Sequence, residues 1–225
     1  MNILTAAERK QLEESIRESG DQVLRAVENL SLAQFTFRPR HDQWSIAENI
    51  EHLSIVDRLV LSQILEVIDR GGPFAESSWK GRDEALFEQV KRPEPALKAP
   101  DIISPRGAIQ PEKVLLEFKA GCERLSAFAA TTEAPLRRHC FPHPVFGELD
   151  CYQWLLCSGA HYKRHLLQIQ AVMAATDFPS SHPWNRGPGR TAADQLPCDA
   201  FRRTHGTSAR KANGHSSGIA VGCTG

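Results

Sequence analysis

A chain of 225 residues with 41% hydrophobic and 24% charged residues is long enough to bury a core without disulfides or a structural metal. Its 27 Lys and Arg are matched by 27 Asp and Glu, so the overall charge points to neither a nucleic-acid nor an anionic-membrane partner. The opening MNILTAAERKQLEESIRESG is charged where a signal peptide would be apolar, and six cysteines occur without a CxxC pair, which predicts a soluble, cytoplasmic protein with free thiols.

Thr5 and Glu8 have the spacing of a capping box, and Leu12, Ile16, Val23, Val27 and Leu30 then recur at three and four, predicting a first helix to about residue 30. Ser45 and Glu48 repeat the signature. Ile46, Ile50, Leu53, Leu61, Ile64 and Ile68 follow as one stripe until Gly71 and Gly72 stop it, giving a second helix. Residues 71–110 are rich in Gly and Pro and read as a long crossover with at most a short helix at 83–90. Pro111 opens a third helix through Val114, Leu115, Phe118, Cys122, Leu125 and Phe128. A second connector leads to a fourth helix at 151–175, with Trp154, Ser158, His161, His165, Ile169 and Val172 inward. No stretch alternates convincingly with a period of two. The expected fold is all-α: a four-helix bundle, residues 1–177, whose crossover lets helices two and three run parallel. Residues 178–225 lack periodicity and carry six Lys or Arg against two Asp; they read as a disordered, low-complexity tail.

The fourth helix contains GAHYKRHLLQIQ, which places His161 and His165 four apart on an apolar face. Side chains at that spacing have Cβ atoms roughly 5–6 Å apart, near enough for two imidazoles to converge on one ion. Buried rings with no ion need hydrogen-bond partners instead, and core histidines bonded to one another are the plain alternative. His52, on the second well-capped helix, offers a third imidazole. Three protein ligands leave coordination positions open, as catalytic sites do. A zincin would need His-Glu-x-x-His, whereas Tyr162 follows His161, and a carboxylate-bridged di-iron bundle would need Glu-x-x-His pairs that are absent. Glu48 and Gln168 are candidates to orient the ligating rings. Arg38, Pro39 and Trp44 read as structural, with Trp44 at the hydrophobic-staple position before Ser45. His143, in the connector before the metal helix, is the candidate for substrate contact or proton transfer.

The segments FTFRPRHDQWSIAENIEHL and HPVFGELDCYQWLLCSGAHYKRHLLQI resemble the DinB/YfiT-like superfamily of metal-dependent four-helix-bundle enzymes over roughly residues 10–175. In that family an R-P-x4-W-S segment leads into a helix bearing one ligand, and an H-x3-H supplies two more. The resemblance thus implies His52, His161 and His165 as ligands of a divalent metal, zinc or nickel foremost, with manganese or iron also compatible with imidazole. It also implies a bacterial-type enzyme, either a transferase using a low-molecular-weight thiol such as bacillithiol or mycothiol, or a hydrolase activating water. The expected partners are a small-molecule thiol or an electrophilic substrate, with no nucleic acid and no membrane, and a homodimer suits such a bundle. The competing reading is a non-catalytic, stress-related binding or scaffold protein with a structural metal or none.

Overall fold

The computed structural model describes residues 4–71, 76–93, 99–107 and 110–180. The expected disordered tail therefore lies outside the described residues from 181 onward. Phe178 and Pro179, which a boundary at 177 assigns to the tail, pack on the bundle: Phe178 meets Phe37 edge-on at 5.6 Å, and Gln34 donates to the Pro179 carbonyl at 2.9 Å.

Four long helices form where the periodicity places them: α1 (Ala6–Val27), α3 (Ile46–Asp69), α5 (Pro111–Thr131) and α6 (Cys151–Met173). Capping boxes at Thr5, Ser45 and Asp150 start α1, α3 and α6, satisfying amides that would otherwise lack partners. Gly71, with φ 62°, ends α3 in the left-handed region that favours glycine. A one-turn α2 (Leu32–Phe35) joins α1 to α3, and α4 (Asp83–Lys91) lies within the crossover, followed by a 3-10 turn at Asp101–Ile103. Among the described residues, no helix is long and apolar enough to cross a membrane.

Each long helix packs on two others: α1 on α5 and α6, and α3 on α5 and α6. Cross-helix contacts fix their directions. Gln11 meets Tyr152 and Ser15 meets Gly159, so α1 and α6 run parallel. Arg9 donates to the Ala129 carbonyl and Gly20 abuts Cys122, so α5 opposes α1. Asn49 meets His165 and His52 meets His161, so α3 opposes α6. The second and third long helices are therefore parallel, and the crossover must climb the full length of the bundle between them. It does so along α6: α4 begins beside Gln153, through Asp83, and ends beside Arg164, which donates to the Arg92 carbonyl.

The second connector contains an element the sequence reading does not include, the hairpin of β1 (Cys140–His143) and β2 (Gly147–Asp150), paired from Cys140↔Asp150 to His143↔Gly147. Strands of four residues, one containing Pro142, are too short for a period of two to register. The hairpin anchors the start of the crossover, because Ser78 donates to the Glu148 carbonyl at 2.8 Å and Trp79 to the Phe146 carbonyl at 2.9 Å. Arg137 ties three elements together there, pairing with Glu8 of α1, Asp83 of α4 and Asp150 at the start of α6.

Among the polar groups buried with the apolar core is Asp57, where the Tyr162 hydroxyl donates to Oδ2 at 2.7 Å and Oδ1 has no hydrogen-bond partner. Burial pushes the Asp57 carboxyl up to about 7. Because its folded value lies above its unfolded one, the folded state holds an extra proton between about pH 4 and 7, and the associated stability is lost as pH rises through that window. Asp57→Asn removes this dependence. Thermal unfolding from pH 5 to pH 8 is expected to show the variant gaining on wild type as pH rises, by a few kcal/mol in order of magnitude; a constant difference would mean that Asp57 is ionised throughout.

Candidate metal centre

α3 and α6 cross with His52 facing His161 and His165, and the potential ligand atoms of the three lie within 4.8 Å of one another. The Nε2 atom of His161 is 3.0 Å from that of His165 and 3.4 Å from that of His52. His52 and His165 are buried, and His161 is half-buried. Burial lowers the basicity of all three rings, and His161 and His165 are depressed further by their imidazole neighbours and by Arg164, which favours the neutral form.

Two rings have a fixed tautomer. His52 Nδ1 lies 2.7 Å from the Ile103 carbonyl, which can only accept, so Nδ1 carries the proton. His165 Nδ1 lies 2.8 Å from Asn49 Oδ1; the Asn49 amide is oriented by its own Nδ2, which donates to the Ser45 carbonyl at 2.9 Å. Again Nδ1 is the donor. Both Nε2 atoms therefore present lone pairs to the third ring, whose Nε2 has at most one proton to give. Without a cation, two or three lone pairs face one another in a buried space. One divalent ion would satisfy all of them, and the two spacings to His161 suit it: ligand bonds of about 2.0–2.1 Å put neighbouring nitrogens roughly 3.3 Å apart in a tetrahedral shell and roughly 3.0 Å apart in an octahedral one. The donor set thus fits a divalent metal with open positions.

Asn49 and the Ile103 carbonyl, which hold His165 and His52, are absent from the sequence reading. Asn49 lies one turn before His52 on α3, a signal that was present, but its pairing with His165 depends on the register of two helices 116 residues apart in sequence. The Ile103 carbonyl has no side-chain signal. Glu48 does not orient a ligand: its carboxylate accepts from Ser45 N at 2.9 Å and from Arg38. Gln168 is half-buried, and the position beside His165 Nδ1 that it was expected to fill belongs to Asn49. Trp44 has no apolar staple partner, because the fourth residue of α3 is Asn49; its indole stacks on His165 at 6.2 Å and 14° and tilts onto His52 at 4.9 Å. Trp44 therefore walls the site.

His143 lies at the end of β1, outside the three-imidazole cluster. Its ring packs against Phe146 and Trp154 at 4.8 and 4.7 Å, and Nδ1 accepts the N–H groups of Val145 and Phe146 at 3.1 and 3.3 Å. Burial brings its pKa down to about 4. Its remaining proton is on Nε2, which makes His143 a neutral hydrogen-bond donor. Cys122, Cys140, Cys151 and Cys157 are buried. Burial pushes Cys140 up to about 11 and Cys151 to about 12, with Cys122 and Cys157 higher still.

A sequence model of the DinB superfamily matches residues 15–169. The chain belongs to the DinB superfamily. YuaE from Bacillus subtilis (strain 168), an uncharacterized protein, is 29% identical to this DinB protein over 147 residues, spanning 65% of this chain and 87% of YuaE. The solved structure of YfiT from Bacillus subtilis, described as "a probable metal-dependent hydrolase with an unusual four-helix bundle topology", matches at a TM-score of 0.48 and 14% identity, over 77% of this chain and 90% of that one.

Asn49→Leu keeps the branched side-chain shape but strands the His165 Nδ1 proton. Zinc affinity, measured by competition with a chromophoric chelator, is expected to fall roughly 10–100-fold with helix content unchanged; unaltered affinity would show that the ring needs no such support.

Proposed function

We propose that this DinB protein is a divalent-metal-dependent enzyme in which His52, His161 and His165 are the protein ligands, and that it catalyses attack of a low-molecular-weight thiol, or of water, on a small electrophilic substrate. The observation that carries the reading is the convergence of three neutral imidazoles, two of them locked with lone pairs inward, in a set that leaves coordination positions open. When bound, a divalent ion there supplies Lewis acidity, which makes a thiol or water nucleophilic near neutral pH. Zinc or nickel heads the order of expected metals, ahead of manganese and iron.

Among the described residues no cysteine is placed to supply the nucleophile, and a small molecule supplies it instead. The four described cysteines are buried with raised pKa values and offer no thiolate at neutral pH. Trp44 covers one side of the ligand rings and excludes water there. His143, held neutral with Nδ1 occupied, contributes an Nε2–H donor to a substrate oxygen and does not act as a base. Thiol transfer ranks ahead of hydrolysis on the family resemblance and not on the residues themselves.

The test is elemental analysis of the full chain beside the His161→Ala, His165→Ala double variant, followed by assay of the loaded protein against electrophiles with and without thiol. About one equivalent of metal, lost in the double variant, is expected, with turnover that requires the thiol. Turnover without thiol assigns hydrolysis. Stoichiometric metal in the double variant overturns the ligand assignment, and metal without turnover in either assay supports the scaffold reading instead.

A further inference from the structure

We propose that Glu51 is a positioning residue for His52, acting through the last stretch of the crossover. Glu51 and His52 are consecutive on α3, and each is only 4% exposed. They grip the same piece of chain at two points. One Glu51 oxygen accepts the Arg106 N–H at 3.1 Å and the other accepts the Gly107 N–H at 2.9 Å, while the Ile103 carbonyl accepts the His52 Nδ1 proton at 2.7 Å.

Gly107 has φ 63°, a left-handed conformation that lets two successive amides point into one concavity. A carboxylate matches that concavity because both of its oxygens accept and neither carries hydrogen. A carboxamide would set its NH2 against one of the two donors. Among the described residues little else holds the strap: Ile102 is 70% exposed, and the Ser104 hydroxyl bonds to the Ala99 and Pro100 carbonyls of the strap itself. The position of the Ile103 carbonyl therefore depends on Glu51. With the carboxylate in place, Ile103 holds the proton on His52 Nδ1 and turns Nε2 toward His161. Without it, His52 alone restrains the strap, and the ring loses its fixed tautomer.

The inference rests on the metal reading for its consequence in affinity, but the His52 tautomer can be observed without any metal. The experiment records the imidazole nitrogens and their protons by NMR in the metal-free full chain, for wild type and Glu51→Gln, with His52→Ala to assign the ring. Zinc affinity is measured in parallel by chelator competition. Wild type is expected to show a slowly exchanging Nδ1 proton on His52, and Glu51→Gln to exchange it about tenfold faster and weaken zinc binding roughly 10–100-fold. In the His52→Ala background the same substitution is expected to change zinc affinity by less than about twofold, because its route to the metal has been removed.

An unaltered His52 Nδ1 proton in Glu51→Gln overturns the proposal. So does an equal loss of affinity with and without His52, which would mean that Glu51 serves the fold and not the ring. If the wild type binds no divalent ion, the metal reading fails, while the proton-exchange comparison still decides for or against the role of Glu51. Should Glu51→Gln lose cooperative unfolding, Glu51→Asp, which keeps two accepting oxygens, is expected to restore the slow His52 proton; failure of that rescue in a folded protein also overturns the proposal.

Discussion

The site depends on the hydrogen bonds that occupy the far nitrogens of His52 and His165. An imidazole placed at random in a helix interface can present a proton or a lone pair from either edge, and a cluster of three could satisfy itself as a chain of ring-to-ring hydrogen bonds. The Ile103 carbonyl and the Asn49 amide oxygen remove that freedom. Each accepts only, so each fixes a proton on the outer nitrogen and leaves the inner one as an acceptor. Two rings held this way, with His161 between them, do not make a comfortable polar core. They make a set of lone pairs that calls for a cation.

The helix order follows from the same requirement. His52 on α3 meets His161 and His165 on α6 because those helices are antiparallel neighbours, and the crossover that makes α3 and α5 parallel brings chain back to the level of these histidines. The long connection therefore supplies the carbonyl that orients His52, and α4 covers the outer face of α6, where Leu86 and Val90 pack with Cys157 and Ala160. A bundle with short loops throughout would offer His52 only solvent at that position. The tight contact of α1 with α6 belongs to the same economy of space: a Cβ on Gly159 would lie 3.1 Å from the Ser15 carbonyl carbon and oxygen, so α1 lies directly against the helix that carries His161 and His165.

Much of this was legible in the sequence, and what was not has a common cause. Capping boxes and 3.6-residue stripes located the four long helices to within a few residues, because those signals are local and repeated. The spacing of His161 and His165 is a property of one helix, and His52 stood out on the other well-capped helix. The role of Asn49 required knowing which turn of α3 faces which turn of α6. The Ile103 carbonyl required the path of a connector that has no periodicity. Trp44 and Glu48 were assigned by local rules, one correctly as to element but not as to contact, since Asn49 occupies the position where a staple would need an apolar side chain. The hairpin at 140–150 was missed because four-residue strands carry too few alternations to be read.

In the proposed site three imidazoles, and no cysteine, bind the ion. X-ray absorption at the metal edge of the zinc-loaded full chain tests it most directly. The account predicts a first shell containing three imidazole nitrogens at about 2.0–2.1 Å, with the multiple-scattering pattern of intact rings and the remaining ligands light atoms. A sulfur scatterer at about 2.3 Å, or a shell of oxygens without imidazole, would contradict it.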